Sequence, residues 1–446
     1  MGKMLNKASA SVCFLVVAAV LSFSGRAIRL PGDIQLHVRP VEKQVIETGT
    51  IYRVVVKNAD TVDSAVYSVF IPAGIDTLRG VFIHQHGCGM EGRGASTAYD
   101  LQYQAFAKKW GLAVVGPDLY YENGCRVWKN PESGSGPSLL KALEDVGMVS
   151  SHTELKEVPW LLWGHSGGGY WTLAMMKNYP ERILAAFGYS PAFDPNWNYP
   201  DEALKIPLMI RHAGAGDINS GEVKCWQTAV HTFDKLRSAG GLVSIACTPH
   251  QNHNYSFVRY IAIPFYESVL SRRLPTGTQH SFREMRAINE RNGWLADTLS
   301  LNTWRFKQQA QDANAFSWLP DSATAAKWKE FVITGSVIDR TPPLAPYGLA
   351  MRRRHSMAVE LTWKADADIE SGIKQFLIYS GNQLIARFPE QGVYQYFDQN
   401  GDDAIPMSAL PEMKAVISLP ANADTTLSLS TINHFDLESP RVSFSK

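Results

Sequence analysis

The stretch Val158–Tyr170, VPWLLWGHSGGGY, is a short apolar run that ends abruptly at Gly164-His165-Ser166-Gly167-Gly168. Leu161, Leu162 and Trp163 supply the core of a buried strand, YWTLAMMKN (Tyr170–Asn178) has the pattern of a helix, and Pro180 closes it. A strand that enters a helix through so tight a turn needs flanking positions nearly free of side chains. The residue at the apex is then held in strained backbone with its side chain presented outward. That residue is Ser166. A serine hydroxyl is a weak nucleophile alone, so the arrangement needs a histidine to take its proton, an acid to orient the histidine, and backbone N–H groups to receive an oxyanion. A Gly-x-Ser-x-Gly string also occurs by chance in long chains as a plain Gly-rich turn; the strand, turn and helix around this one set it apart.

Outward from this turn, the chain reads as alternating strands and helices. On the N-terminal side IQLHVRPV, IYRVVVK and AVYSVFIP alternate apolar and polar residues, as half-buried antiparallel strands do. Gly80–His84 is apolar enough for a central strand and breaks into His86-Gly87-Cys88-Gly89-Met90. The residues then predict a helix over Thr97–Trp110, a strand over Leu112–Val115 and a helix over Ser138–Val149. Beyond Ser166 they predict strands Ile183–Tyr189, Ile206–Ile210 and Leu242–Cys247, with helices Glu222–Ser238 and Tyr255–Leu270 between and after them. Such alternation predicts an α/β fold, a doubly wound and mostly parallel sheet with ligands at the carboxyl ends of its strands.

On that scheme Asp217 follows one late strand and His253 the next, giving the order Ser166, Asp217, His253. Asp194 and Glu222 are alternative acids, and His250 shares the loop of His253 and stands as the alternative base. His165, His84 and His86 read as structural or supporting residues. Asn254-Tyr255-Ser256 matches a glycosylation sequon by pattern alone.

A chain of 446 residues predicts two or three domains at about 150 residues each. Hydrophobic residues make up 45% and charged residues 19%, as in a globular protein, and a formal net charge of +1 gives no electrostatic footprint for nucleic acid. Arg352, Arg353 and Arg354 form a basic run that a solvated strand or turn explains. Lys3 and Lys7 precede an apolar stretch, Val12–Leu21, and then small and polar residues, which reads as a signal peptide over 1–27. The stretch is short for a membrane span, although an uncleaved anchor is the alternative. The expected location is secreted or periplasmic, with no stable membrane span after cleavage.

Cys88, Cys125, Cys225 and Cys247 remain beyond the leader. In an exported chain an even number suggests disulfides, and four cysteines allow three pairings. Cys88 and Cys125 fall in loops after neighbouring strands, which predicts a bridge between them; Cys225–Cys247 is a weaker second pairing. No pair has zinc-ligand spacing, so a metal site is not expected; nor is a cofactor, because water can deacylate a serine nucleophile.

Residues 275–339 carry Trp294, Trp304, Trp318 and Trp328 and read as a helical extension packed on the main domain, a commoner use of such tryptophans than sugar stacking. Thr341-Pro342-Pro343-Leu344-Ala345-Pro346 marks a linker. After it, VELTWKA, KQFLIYSG and the closing RVSFSK predict a small antiparallel β-sandwich over 340–446, a spacer or binding accessory without chemistry of its own.

From about Gly80 to Leu274 the chain resembles the α/β-hydrolase superfamily, and within it the secreted esterases of the polyhydroxybutyrate-depolymerase and feruloyl/acetyl-xylan-esterase group. The residues that carry the resemblance are Gly164–Gly168, the loop His86-Gly87-Cys88, and Asp217 and His253 downstream; Gly167 stands where many members have a larger residue. The segment Val359–Trp363, the turn Glu370-Ser371-Gly372-Ile373 and the strand to Tyr379 look like a fibronectin type III module. The resemblance implies a catalytic domain over 28–274 that cleaves carboxylic esters, polymeric ones included, through a serine, histidine and aspartate triad. It also implies that Cys88 lends its N–H to the oxyanion hole beside that of Gly167. Two other readings stand beside it: a serine peptidase of prolyl-oligopeptidase type, against which the lack of a propeller-sized preceding domain counts, and an inactive binding protein on a hydrolase scaffold.

Overall fold

The computed structural model describes residues 28–29, 35–58, 63–254, 256–277, 280–308, 312–355, 358–395, 409–410, 412–419 and 426–444. The expected leader, 1–27, lies outside them, as does Tyr255 of the sequon. An 11-stranded sheet forms the centre. Its main strands are β1 (Gly49–Asn58), β2 (Ser64–Pro72), β3 (Gly80–Gln85), β4 (Leu112–Tyr120), β5 (Trp160–His165), β6 (Ile183–Tyr189), β7 (Leu208–His212) and β8 (Val243–Cys247), in the spatial order β1-β2-β4-β3-β5-β6-β7-β8. Strands β3 to β8 are joined by parallel pairings. Strand β1, β2 and the short strands Ile28–Arg29, Gln35–Val38 and Glu42–Ile46 extend the sheet in antiparallel fashion, as the alternating leading segments predict.

Because side chains alternate across a strand, a sheet covered on both faces is apolar along most of each inner strand, and the polar residues His84, Gln85, His165, Arg211 and His212 lie at the carboxyl ends of β3, β5 and β7. Val81, Ile83, Leu162, Leu208 and Ile210 enter one core cluster, against helices α2 (Ser135–Ser150), α3 (Gly167–Asn178) and α4 (Cys225–Ser238). Phe82, Leu161, Trp163 and Met209 enter the other, against α1 (Leu101–Trp110), α5 (Arg259–Arg273) and α6 (Ser322–Thr334). The single helix expected over Thr97–Trp110 is broken: a short helix, Gly94–Tyr99, stops at Asp100, whose carboxylate then caps α1 through the N–H groups of Gln102 and Tyr103.

Residues 275–339 differ from the expected helical extension. They form a 3-stranded antiparallel sheet (Trp294–Ala296, Thr303–Arg305, Ser317–Leu319) followed by the one long helix, α6. Strands of 3 residues are too short to show a period of two in the sequence. Trp318 and Trp328 are fully buried; Trp328 donates from Nε1 to the carbonyl of Ile245 at 2.9 Å, which fastens this segment to edge strand β8.

Beyond the linker lie a 3-stranded antiparallel sheet (Tyr347–His355, Ala358–Lys364, Lys414–Ser418) and a 4-stranded one (Gln383–Phe388, Gln375–Ser380, Leu427–Ile432, Val442–Ser443). Leu361 and Trp363 from the first share one apolar cluster with Phe376, Ile378 and Leu429 from the second, and Leu101 of α1 enters the same cluster. At the linker's start Asp339 and Asp368, both buried, receive the two N–H bonds of the Asn433 amide at 2.9 Å each.

Candidate active site

Ser166 stands at the apex between β5 and α3 with φ 55° and ψ −117°, a conformation that costs a non-glycine residue about 1–3 kcal/mol. The neighbouring glycines make it possible. A Cβ at Gly164 would overlap the carbonyl oxygen of Gly168, and one at Gly168 would overlap that of Gln85. The Ser166 N–H bonds the Tyr189 carbonyl at 2.8 Å, while its carbonyl accepts from Tyr170 at 3.1 Å and Ala192 at 2.9 Å. From Val158 to Met176 every residue is buried except Ser166.

His253 and Asp217 meet in the loops beyond β8 and β7. His253 Nδ1 lies 2.6 Å from Asp217 Oδ1. The carboxylate also accepts from the hydroxyl of Ser190 at 2.8 Å and from the N–H groups of Ala213 at 3.1 Å and Ile218 at 3.0 Å. Burial by itself would raise the Asp217 carboxyl, but the His253 hydrogen bond and charge, the Ala213 N–H and the Ser190 hydroxyl outweigh it and hold the group at about 2. At neutral pH it is therefore ionised and only accepts. His253 Nδ1 consequently carries a proton directed at Asp217, and Nε2 is the ring nitrogen turned away from the carboxylate.

His165 lies behind this pair. Burial keeps it well below the ordinary imidazole range, and the charge of His253 adds to the effect. Its Nε2 is 3.3 Å from the carbonyl of His253, and since a carbonyl can only accept, His165 donates. Arg211, fully buried at the end of β7, holds the same loop through the Asn252 carbonyl at 3.0 Å, Gln251 Oε1 at 2.8 Å and Thr248 Oγ1 at 2.9 Å.

The loop after β3 lies against the serine from the other side. A side chain at Gly87 would come within 3.1 Å of Ser166 Cβ, and one at Gly167 would strike Cys88 Sγ and come within 3.4 Å of the Cys88 amide nitrogen. The amides of Cys88 and Gly167 are thus neighbours, and Gly167 opens α3, where N–H groups have no intrahelical carbonyl. The loop is tied twice. Cys88 is disulfide-bonded to Cys125, with Cα atoms 5.3 Å apart, and Asp118 Oδ1 accepts from Gly92 N at 2.7 Å and Gly94 N at 2.8 Å.

The alternatives lie elsewhere. Asp194 meets exposed His231 at 3.2 Å, Glu222 meets Arg126 at 3.5 Å, and His250 is exposed, its Nε2 directed toward Gly335. The expected Cys225–Cys247 bridge is absent and both thiols are free. Cys225 turns into an aromatic cluster with Tyr170 and Phe193, whereas Cys247 pairs in register with His212 and lies toward Gly214, so the two sulfurs serve different neighbourhoods. Asp217, Cys225 and His253 group ligand-type atoms within 4.8 Å of one another, but burial raises the Cys225 thiol and keeps its proton, and Asp217 and His253 are engaged with each other.

Ser190, Arg211, Asp118 and the use of His165 escaped the sequence reading. An arginine inside the apolar strand LMIRH is the one signal available, because a buried guanidinium must have partners.

Strand order and the sharp turn at Ser166 fit an α/β-hydrolase-like fold. No family model and no curated protein matches the chain. Among solved structures it is similar to a thermostable esterase, at 17% identity and TM-score 0.34, covering 50% of this chain and 67% of that one. It is similar also to an S-formylglutathione hydrolase from Agrobacterium tumefaciens, at 13% and 0.36, covering 56% and 98%, and to a thermophilic esterase from Thermogutta terrifontis, at 14% and 0.34, covering 48% and 91%. Likenesses so distant leave the functional argument to the site itself.

Proposed function

We propose that this chain is an exported serine hydrolase that cleaves carboxylic esters, with Ser166 as nucleophile, His253 as base, Asp217 as its orienting acid, and the amides of Cys88 and Gly167 as the oxyanion hole. The observation that carries the reading is the Asp217–His253 bond of 2.6 Å, which engages Nδ1 and turns Nε2 away from the carboxylate, in a site where Ser166 is the one half-buried residue of an otherwise buried run. His253 Nε2 takes the serine proton as Oγ attacks the acyl carbon, and the two amides receive the negative charge on the carbonyl oxygen. The imidazolium, steadied by Asp217, gives its proton to the departing alcohol. Water then repeats the sequence on the acyl-enzyme, so the reaction needs no cofactor.

The domain plan that goes with this reading is a leader over 1–27, a catalytic part over 28–274, a tryptophan-bearing extension over 275–339 and a fibronectin type III-like module over 340–446. Export is supported by the Cys88–Cys125 bridge, which an oxidising compartment preserves. No helix among the described residues is long and apolar enough to cross a membrane.

Ser166→Ala should lose several orders of magnitude in aryl-ester hydrolysis and all labelling by a fluorophosphonate probe while keeping the melting transition. Retention of most hydrolysis would end the proposal. A panel of aryl esters, acetylated xylan, polyesters and peptides reads out the substrate class.

A further inference from the structure

The C-terminal part, which the sequence reads as a spacer or binding accessory, meets the rest of the chain through a buried polar junction at the roots of both loops that flank Ser166. Arg259 opens the helix that follows the His253 loop and is 1% exposed. Its Nη1 donates to Asp100 Oδ2 at 3.0 Å and Gln102 Oε1 at 2.9 Å, and its guanidinium lies 4.6 Å over Tyr103. Asp100 Oδ1, which caps α1, also accepts from Gln395 Nε2 at 3.2 Å. Gln102 Nε2 donates to the Ile369 carbonyl at 2.8 Å, and the Tyr260 ring meets Phe435 at 5.6 Å. Gln395 is itself held, its carbonyl accepting from His434 Nε2 at 3.1 Å.

The other loop joins the same junction. The short helix ahead of Asp100 carries Thr97, whose hydroxyl bonds His86 Nε2 at 2.9 Å, two positions before Cys88. Asp100 therefore stands between the oxyanion loop on one side and, through Arg259, the His253 loop on the other. A bend of the C-terminal part holds it by Gln395.

Resting on the hydrolase reading above, we propose that the C-terminal sheets are a positioning element of the active site: Gln395 and Phe435, by docking on Asp100 and Tyr260, set the placement of His253 and Cys88 around Ser166. They raise turnover on every ester, small soluble ones included, without touching substrate. A buried ionic junction suits this role because its partners have narrow geometry and do not exchange with water.

The test uses the full chain with Gln395→Leu and Phe435→Ala, singly and together, and Phe435→Tyr as the conservative variant. Lys364→Ala is the control; it removes the exposed Lys364–Glu47 pair of 2.7 Å elsewhere on the same seam. With p-nitrophenyl acetate the double variant should lose about tenfold or more in kcat with KM little changed, because misplacing catalytic groups by a fraction of an ångström costs turnover rather than binding. Fluorophosphonate labelling should slow in parallel, Phe435→Tyr should recover, and Lys364→Ala should match wild type. The low-field proton resonance of His253 Nδ1–H should shift or broaden in the double variant alone. A folded double variant with wild-type kcat and an unchanged resonance overturns the proposal, as does a rise in KM at constant kcat, which would put the sheets against substrate. A wild-type chain that neither hydrolyses the ester nor takes the label sinks the hydrolase reading instead, and the resonance still judges the junction.

Discussion

The rings of His165 and His253 lie 4.8 Å apart, and the first donates from Nε2 to the backbone carbonyl of the second at 3.3 Å. The residue beside the proposed nucleophile thus holds the proposed base, while burial keeps it below the ordinary imidazole range. His165→Phe preserves a ring against Tyr189 and removes the donor. We expect about a tenfold lower kcat at nearly constant KM. Wild-type turnover in a folded His165→Phe protein would show that the bond is incidental.

Asp217→Asn removes the charge that fixes the His253 tautomer. By analogy with other triads kcat should fall by roughly 10³–10⁴-fold, whereas Asp194→Asn and Glu222→Gln, whose carboxylates face other partners, should stay close to wild type. Steady-state kinetics on one aryl ester separates the three acids. A large loss in either of the last two and none in the first would move the acid elsewhere.

The loop that carries Cys88 has two ties, so cutting one should weaken and not abolish activity. Cys125→Ser, or reduction of the bridge, should lower kcat about ten- to a hundredfold; Asp118→Asn, which keeps shape but weakens acceptance from Gly92 and Gly94, should add to it. Cys225→Ser and Cys247→Ser should leave thiol counts elsewhere and activity little changed. Mapping of unreduced peptides checks the pairing: free thiols at Cys88 and Cys125 would remove the first tie.

Asp368 supplies a pH prediction. Burial pushes its carboxyl up to about 8, with the neighbouring Asp339 adding to the effect. Between the ordinary carboxyl value and that pH the folded chain holds a proton the unfolded chain releases. Its contribution to stability is complete below the ordinary value and is lost as pH rises through about 8. Asp368→Asn should flatten that decline, so melting temperatures of the two proteins should draw apart, the variant ahead, from about pH 5 to about pH 9. Parallel curves would mean that Asp368 is ionised throughout. Asp217 has the opposite sign: held at about 2, it contributes above the ordinary carboxyl value and loses its contribution only as pH falls through about 2.

Much of the central fold was legible because its inner strands are largely apolar and alternate with helices along the chain. Ile183–Tyr189 was read to the residue, and β7 and β8 to within two. The turn at Ser166 could be read because glycine is the only residue its backbone contacts allow at Gly164 and Gly168. What escaped reading is contact between segments far apart in the chain. Nothing local marks Ser190 as a partner of Asp217 or Gln395 as a partner of Asp100. Cys225 and Cys247 followed the right elements but their side-chain directions were not available from strand order, so their pairing failed. In 275–339 three very short strands had no period to show.

The crowding around Ser166 has a stereochemical consequence. With buried neighbours on either side of it along the chain, the amides of Cys88 and Gly167 together on one flank, and His253 in the loop beyond, the proposed mechanism leaves an acyl carbon one way to turn its oxygen and one way to turn its leaving group. On the proposed mechanism, attack would then fall on a single prochiral face and give the tetrahedral centre one handedness. Esters of chiral acids should divide into a fast and a slow enantiomer, the slow one having to point its bulk at the covered side.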